Sequence, residues 1–422
     1  MIVFRLFLLV FSFSLAVNCQ EIPDYYQNGQ IKETGKFKQE LKHGKWTYFY
    51  ENGNKRAYGK FKKGKENGNW QYFYENTHLF EEGKWLDGNK TGFWNTYYPN
   101  GNIEHSGFYL NNKATGIWTY QYPLGALKSK GVFVDDLQHG KWTYFYENGQ
   151  IKEVGNWKNN LNDSIWTYYN ENGTLKKKGS WEDNKQIGKW EYYNEEGQLT
   201  ETGNWKNGLQ DGLWQYFDAN SQLKEEGNWQ SGHQIGTWLY YDSTGNIYKE
   251  GMWDNVKNSG HWKYYYPSKA LKKEGIRTNG FPIGQWKFYY ENGRIYMLGK
   301  YDEEGHEEGV WQTFYENGNL MHKGSWKAGE QDGKWEYYTE NGTISEVGKW
   351  NEGEQDELWL YYNEKGQLSY QGYWQKGMQH GEWTYYHENG NIKRQGKYDF
   401  GVAIGEWKLY NKKGKFISSE EF

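Results

Sequence analysis

The chain has almost none of the residues that staple or punctuate ordinary folds. It holds one cysteine, Cys19, and five prolines in 422 residues. One thiol excludes a disulfide framework within the chain. Charge of one sign is also missing, because 50 basic and 54 acidic residues are interleaved and leave a net charge of −4. That balance gives no electrostatic footprint for nucleic acid or an anionic membrane surface. Past Val17 no segment is apolar enough to cross a bilayer, and no stretch shows the 3.6-residue period of a helix. Aliphatic residues are scarce as well. Aromatics make up 20% of the chain against 36% for all hydrophobic residues, so Trp, Tyr and Phe must build the core. No His-Glu-x-x-His, phosphate-binding glycine loop or cysteine pair occurs, and this excludes the commonest metal and nucleotide chemistries from a motif-based reading. The sequence therefore predicts a protein that is not an enzyme and has no cofactor.

What the chain does have is a ruler of sixteen tryptophans: Trp46, Trp70, Trp94, Trp118, Trp142, Trp166, Trp190, Trp214, Trp238, Trp262, Trp286, Trp311, Trp335, Trp359, Trp383 and Trp407. The step is 24 residues, except for 25 between Trp286 and Trp311. Such a period means one supersecondary unit repeated along the chain. The usual expectation of two or three domains for this length gives way to one repeat array. The other nine tryptophans, from Trp85 to Trp374, share a second slot of the same grid.

Residues 140–163 show the unit. Asn148-Gly149 sits between two alternating aromatic runs, the strongest short signal for a hairpin with a two-residue type I′ turn. That turn would pair Glu147 with Gln150, Tyr146 with Ile151, Tyr144 with Glu153, Trp142 with Gly155 and Gly140 with Trp157. Each Trp is then expected to cover the Gly opposite it in its own hairpin, an aromatic ring restoring surface that glycine lacks. The opposite face carries Lys141, Thr143, Phe145, Lys152, Val154 and Asn156 and should be the wetter one. Between hairpins, stretches such as Lys206–Gly212 read as irregular Gly-, Asn- and Asp-rich connections. About 17 hairpins at roughly 4.8 Å per strand predict an all-β, single-layer array on the order of 160 Å along its curve, twisted or coiled into a ribbon.

Residues 1–19 differ from the rest. A basic start, an apolar run from Leu6 to Val17 and a polar stop at Asn18-Cys19-Gln20 read as a secretory signal peptide, with residues 20–422 as the array. The protein is thus expected to be exported, either secreted or held in the cell envelope. Cys19 is a candidate for lipid attachment, although Asn18 stands where a lipobox needs a small residue. Two places break the rhythm. Around 267–284, Pro267 enters the turn, Arg277 takes the second aromatic slot and Pro282 follows; each reads as a ligand site, a bend or drift. At 302–309 an extra residue lies in an acidic loop around His306, a candidate metal site or a solvated loop. Asn89, Asn162, Asn172 and Asn341 lie in glycosylation sequons that would count only in a eukaryotic host.

The block Gly203-Asn-Trp205-Lys-Asn-Gly208-Leu-Gln-Asp-Gly212 resembles a MORN repeat, as do Gly83–Gly92, Gly227–Gly236 and Gly372–Gly381. The likeness runs in phase over essentially all of residues 21–422. In place of a further Gly, the unit continues as x-Trp-x-Tyr-aromatic, which is similar to the bacterial MORN variant, some members of which are labelled antitoxin components. The resemblance implies an elongated hairpin scaffold with no catalytic residues, used for protein and sometimes membrane-lipid contacts. Three readings follow: an exported scaffold that binds an unknown protein partner, a carbohydrate- or envelope-binding aromatic array that takes a glycan, and an antitoxin-like protein. The Trp ruler reads as structural. Phe145 and its equivalents are the expected contact residues.

Overall fold

The computed structural model describes residues 21, 23–254 and 259–422. Among them the chain is all-β, with thirty-four strands and no helix. It divides into two compact units, one reaching Leu199 and including Trp205–Gly208, the other made of Thr200–Asn204 with Leu209–Phe422. Inside each unit, strands pair antiparallel with their sequence neighbours. Cys19, the segment 1–19 and Ile22, the residue at the first Trp position, lie outside the described residues.

The unit formed by Leu137–Phe145 and Ile151–Lys158 has the expected outer register. Tyr144 opposes Glu153, Trp142 opposes Gly155 and Gly140 opposes Trp157. Its turn differs from the expectation. The loop is three residues, Glu147-Asn148-Gly149, and not a two-residue type I′ turn. The Tyr146 N–H donates to the Gln150 carbonyl at 2.8 Å and the Gly149 N–H to the Tyr146 carbonyl at 3.0 Å. Only Gly149 has a positive φ, +86°, as in a type I turn followed by a left-handed glycine. Alone, this loop would slip the register by one and turn every side chain to the other face. Lys152 prevents it as one extra residue, since Phe145 opposes Ile151 while Tyr144 opposes Glu153. The two departures cancel. Asn148 accounts for the choice of turn. Its Oδ1 accepts the Gln150 N–H at 2.9 Å and its Nδ2 donates to the Glu171 carbonyl of the next hairpin at 2.9 Å.

The type I′ turns sit at the opposite end. Asp135-Asp136 and Asn159-Asn160 both hold two positive φ values. The supposed connection Lys206–Gly212 shrinks to Asn207-Gly208, at +54° and +81°, and the strand resumes at Leu209. Each following strand then carries a bulge. Thr143 opposes Lys130 but His139 opposes Val132, which leaves Gly140 (φ +65°) and Lys141 as extra residues. The extra residue near His306 enters the turn and leaves the bulge unchanged: the loop lengthens to Glu303-Glu304-Gly305, closed by Asp302 N–H to the His306 carbonyl at 2.9 Å.

All sixteen ruler tryptophans are buried, at 0 to 4% exposure. The partner of each ring departs from the expectation. Trp142 faces Gly155 in register, but its ring lies over Gly131, in the preceding hairpin, and Gly155 is covered by Trp166. The same holds from Gly35 under Trp46 to Gly396 under Trp407, and a Cβ at any of these glycines would fall inside the indole. In thirteen of the sixteen, Nε1 donates to the carbonyl just after that glycine, as Trp142 does to Val132 at 3.1 Å. That carbonyl lies where the bulge opens the ladder. Trp407 makes the direction plain: it faces Glu420 across its own hairpin, yet leans away onto Gly396.

Tyrosines fill the gaps between successive indoles. Tyr144 lies 5.9 Å from Trp142 and 6.3 Å from Trp166, ring to ring. The second-slot Trp157 meets Trp166 edge-on at 5.4 Å and 86°. In two places a buried threonine replaces this tyrosine, Thr96 and Thr313. Each is opposed by a histidine, His105 and His322, whose ring packs against the next Trp at 5.8 and 5.7 Å.

Two expected outcomes follow. Trp142→Ala costs about 3–5 kcal/mol of local stability, more than Phe145→Ala. In double-mutant cycles read by urea unfolding, Trp142→Ala couples to Gly131→Ala by about 0.5–3 kcal/mol and is additive with Gly155→Ala. Coupling to Gly155 instead would reverse the direction of the ring contact. Separately, Thr77 holds φ +71° where most turns use Gly. Thr77→Gly should stabilise the first unit by about 1–2 kcal/mol, seen as a raised denaturation midpoint.

Candidate functional site

The Trp rows offer no ring face to a ligand, being covered on one side by glycine and on the other by Tyr and second-slot rings. Phe145 and its equivalents, the expected contact residues, are half-buried. Many are tyrosines tied to carboxylates of the same face. Tyr97 donates to Glu82 at 2.8 Å, Tyr241 to Glu226 at 2.7 Å, Tyr265 to Glu250 at 2.8 Å and Tyr289 to Glu274 at 2.7 Å. Burial and the adjacent carboxylate push the Tyr241, Tyr265 and Tyr289 hydroxyls up to about 12. Glu191 is held at about 2, chiefly by Lys178, 2.8 Å away, with Tyr193 and Lys189 helping. Lys323, Lys334 and Tyr338 do the same for Glu336. Such phenols stay protonated and such carboxylates stay ionised at neutral pH. They form locked hydrogen bonds that organise the face and leave its tyrosines little freedom to reach a partner.

The exposed apolar surface lies one position away. Phe93 and Phe108 oppose each other in neighbouring strands, edge-to-face at 5.1 Å, with exposures of 49% and 46%. In the next pair of strands Ile117, 65% exposed, opposes Val132. All four project from the face opposite the Trp. The same two columns are polar at Lys45, Asn69, Lys141, Lys36, Lys60 and Asn156, and apolar again at Ile165, Leu213 and Met252 and at the opposed pair Leu358 and Tyr373. Beside the strip runs an open groove lined by Tyr58, Gln71, Glu82 and Phe93. Tyr58 stacks on Phe73 at 5.9 Å. The signal for this strip was present in the sequence as successive apolar residues in columns of mixed character, but the regularity of the Phe145 column drew the expectation there.

The irregular residues resolve as follows. Arg277 replaces a second-slot ring and is tied down, donating from Nη1 to the Tyr264 hydroxyl at 2.8 Å and from Nε to the Gly280 carbonyl at 3.1 Å. Pro267 occupies the first corner of a three-residue turn in which Lys269 takes φ +71°. His306 Nδ1 lies 3.4 Å from Asp302. Among the described residues no group of three metal-ligating side chains converges, and no helix is long and apolar enough to cross a membrane.

The two substitute histidines titrate in a useful window. Burial lowers the pKa of both His105 and His322 below the usual 6.5. The unfolded chain therefore binds protons first as pH falls, so their stabilising contribution is complete above about 6.5 and is lost as pH drops through the folded values. Glu153, Glu201 and Glu346, raised by burial, act in the opposite sense at lower pH. Comparing urea midpoints at pH 7.5 and 5.5 should show a loss that is smaller in His105→Phe/His322→Phe. An identical loss in the variant would remove the histidines as its source.

No curated protein matches the sequence. Among solved structures, the crystal structure of TcdB2-TccC3-Cdc42 aligns with 95% of this chain and 27% of its own, at 11% identity and a TM-score of 0.15. The Photorhabdus luminescens Tc holotoxin pore aligns with 93% and 24%, at 12% identity and a TM-score of 0.16. The chain spans only about a quarter of those chains, and neither bears on what it does. The family comparison is direct. The MORN repeat variant matches residues 42–63, 138–159, 162–183, 186–207, 210–231, 234–255, 282–303, 307–328, 331–351 and 379–399. These matches span just over half of the chain, share the hairpin frame described above, and place the protein in the family of MORN repeat variants.

Proposed function

We propose that this repeat scaffold is a non-enzymatic protein-binding module, exported by its first 19 residues, that docks a protein partner on the face opposite the tryptophans. The observation that carries the reading is the strip of Phe93, Phe108, Ile117 and Val132. Phe93, Phe108 and Ile117 stand about half or more exposed and follow one another over neighbouring strand pairs, with Val132 opposite Ile117. Contiguous apolar surface of this kind marks interaction sites, and fully desolvated anchors carry most of the binding energy. The hydrogen-bonded Tyr97–Glu82 pair beside it provides a polar rim.

The test places a photo-crosslinking residue at Ile117 of the full chain, with Lys141 as the control position, in the native host. A discrete adduct at 117 and none at 141 is expected. Phe93→Lys/Ile117→Lys should lower partner capture more than tenfold, since two buried anchors are worth about 1–2 kcal/mol each. Equal yields at both positions, or capture unaffected by the double substitution, would sink the assignment of this face.

A further inference from the structure

The second surface that departs from the repeat lies at the turn edge of the other compact unit. The position of Lys152, bulged out beside the turn, is usually basic or small. It becomes an aromatic ring at Tyr248 and Tyr296, which are 43% and 39% exposed, and stays basic between them at Lys272. These three side chains line one open groove with Tyr264, Tyr266 and Lys273. Two repeats separate the two exposed rings, about 20 Å at the usual strand spacing, with the cation midway.

The charge around this groove is one-sided. On the Trp face, Lys249 and Lys273 follow one another in a column that holds Glu153, Glu201, Glu225 and Glu346 in other repeats and single cations at Lys177 and Arg394, and Arg277 adds a third cation here. Glu250 and Glu274, their neighbours in sequence, point to the opposite face and are held there by Tyr265 and Tyr289. Among the described residues no carboxylate lies within ion-pair distance of Lys249, Lys272 or Lys273. They rest on rings instead: Lys249 Nζ is 3.7 Å from the Tyr240 centroid, Lys273 4.8 Å from Tyr264 and Lys272 5.3 Å from Tyr266. Burial lowers the pKa of both Lys249 and Lys273; Glu225 partly offsets this at Lys249, whereas at Lys273 the neighbouring Arg277 and Lys272 push it further down. The groove thus combines open ring faces with unneutralised positive charge.

We infer that this groove binds an acidic linear polysaccharide, stacking sugar rings on Tyr248 and Tyr296 and pairing a uronate carboxylate with Lys272 and Lys273. Flat exposed rings suit the apolar faces of sugars, and an ammonium suits a carboxylate. A nucleic acid fits less well. Its affinity comes from neutralising many phosphates, and here one cluster of cations stands in a chain of net charge −4. The site lies on a different surface from the apolar strip and goes beyond the protein-binding reading. The first unit contains an internal comparison. Nine repeats earlier, Tyr48, Tyr50, Arg56 and Phe80 make the equivalent groove, but Ala57 stands in place of Lys273 and Glu66 reaches its rim.

Calorimetry on the full chain would compare polygalacturonate, hyaluronate, neutral dextran and an oligo-dT strand. At least one acidic glycan should bind more tightly than dextran and oligo-dT. Tyr248→Ala/Tyr296→Ala should weaken it at least tenfold, Lys272→Gln/Lys273→Gln should remove the preference over dextran, and Arg56→Gln should leave binding unchanged, each with an unaltered circular dichroism spectrum. The inference is overturned if neither acidic glycan binds, if binding survives loss of both tyrosines, if Arg56→Gln weakens it equally, or if oligo-dT binds best through the same residues. Crosslinking at Ile117 reads the protein-binding proposal separately, so either can fail alone.

Discussion

An indole lying on a glycine of the preceding hairpin is the contact on which the structure depends. It gives each Trp, which also packs against rings of its own hairpin, its closest contact across the boundary between two. The contact needs a residue without a Cβ beneath the ring, which accounts for the column from Gly35 to Gly396. It also supplies a donor for a carbonyl that the bulge leaves open, and so couples burial to backbone satisfaction. Stability in such an array resides in nearest-neighbour interfaces more than in single units.

The turn edge repeats the same logic with polar chemistry. Tyr26, Tyr50, Tyr74, Tyr98, Tyr122 and Tyr146 each donate a hydroxyl to a carbonyl 23 residues ahead, in the next hairpin. Where the tyrosine gives way to Asp218 or Asp242, the carboxylate caps its own turn by accepting N–H groups two and four residues on. Either device closes the turn, so the chain can alternate between them without losing the hairpin. The backbone is thereby secured from both ends, and the outward columns are free to vary. The apolar strip at Phe93–Val132 and the cationic groove at Tyr248–Tyr296 are two such variations, one in each unit.

Departures from the repeat are compensated locally. A threonine replaces the packing tyrosine at Thr96 and at Thr313, and each time a histidine opposite supplies the missing ring. Arg277 replaces an aromatic and recovers its place by hydrogen bonding to Tyr264 and Gly280. The recurrence of the first exchange in both compact units indicates that ring continuity along the core matters more than the identity of the ring.

The all-β class, the hairpin unit, the outer register and the family were legible in the sequence. Each rests on a period or an alternation, and both are one-dimensional properties. Trp142 opposite Gly155 followed directly from alternation around Asn148-Gly149. What alternation cannot express is direction: it says which residues share a face, and the fold alone decided that Trp142 leans onto Gly131 and not onto Gly155. The turns were misassigned for the same reason. Asn148 is committed to Glu171 in the next hairpin, so the loop opens to three residues and Lys152 bulges to restore the register. The candidate surfaces were also decided in three dimensions. Phe145 looked available because its column is regular, whereas exposure depends on the bulge and the carboxylates around it. The sequence by itself determined the unit and its repetition. Only the tertiary structure decided how one unit grips the next and which columns remain open, because both depend on contacts between residues in different hairpins.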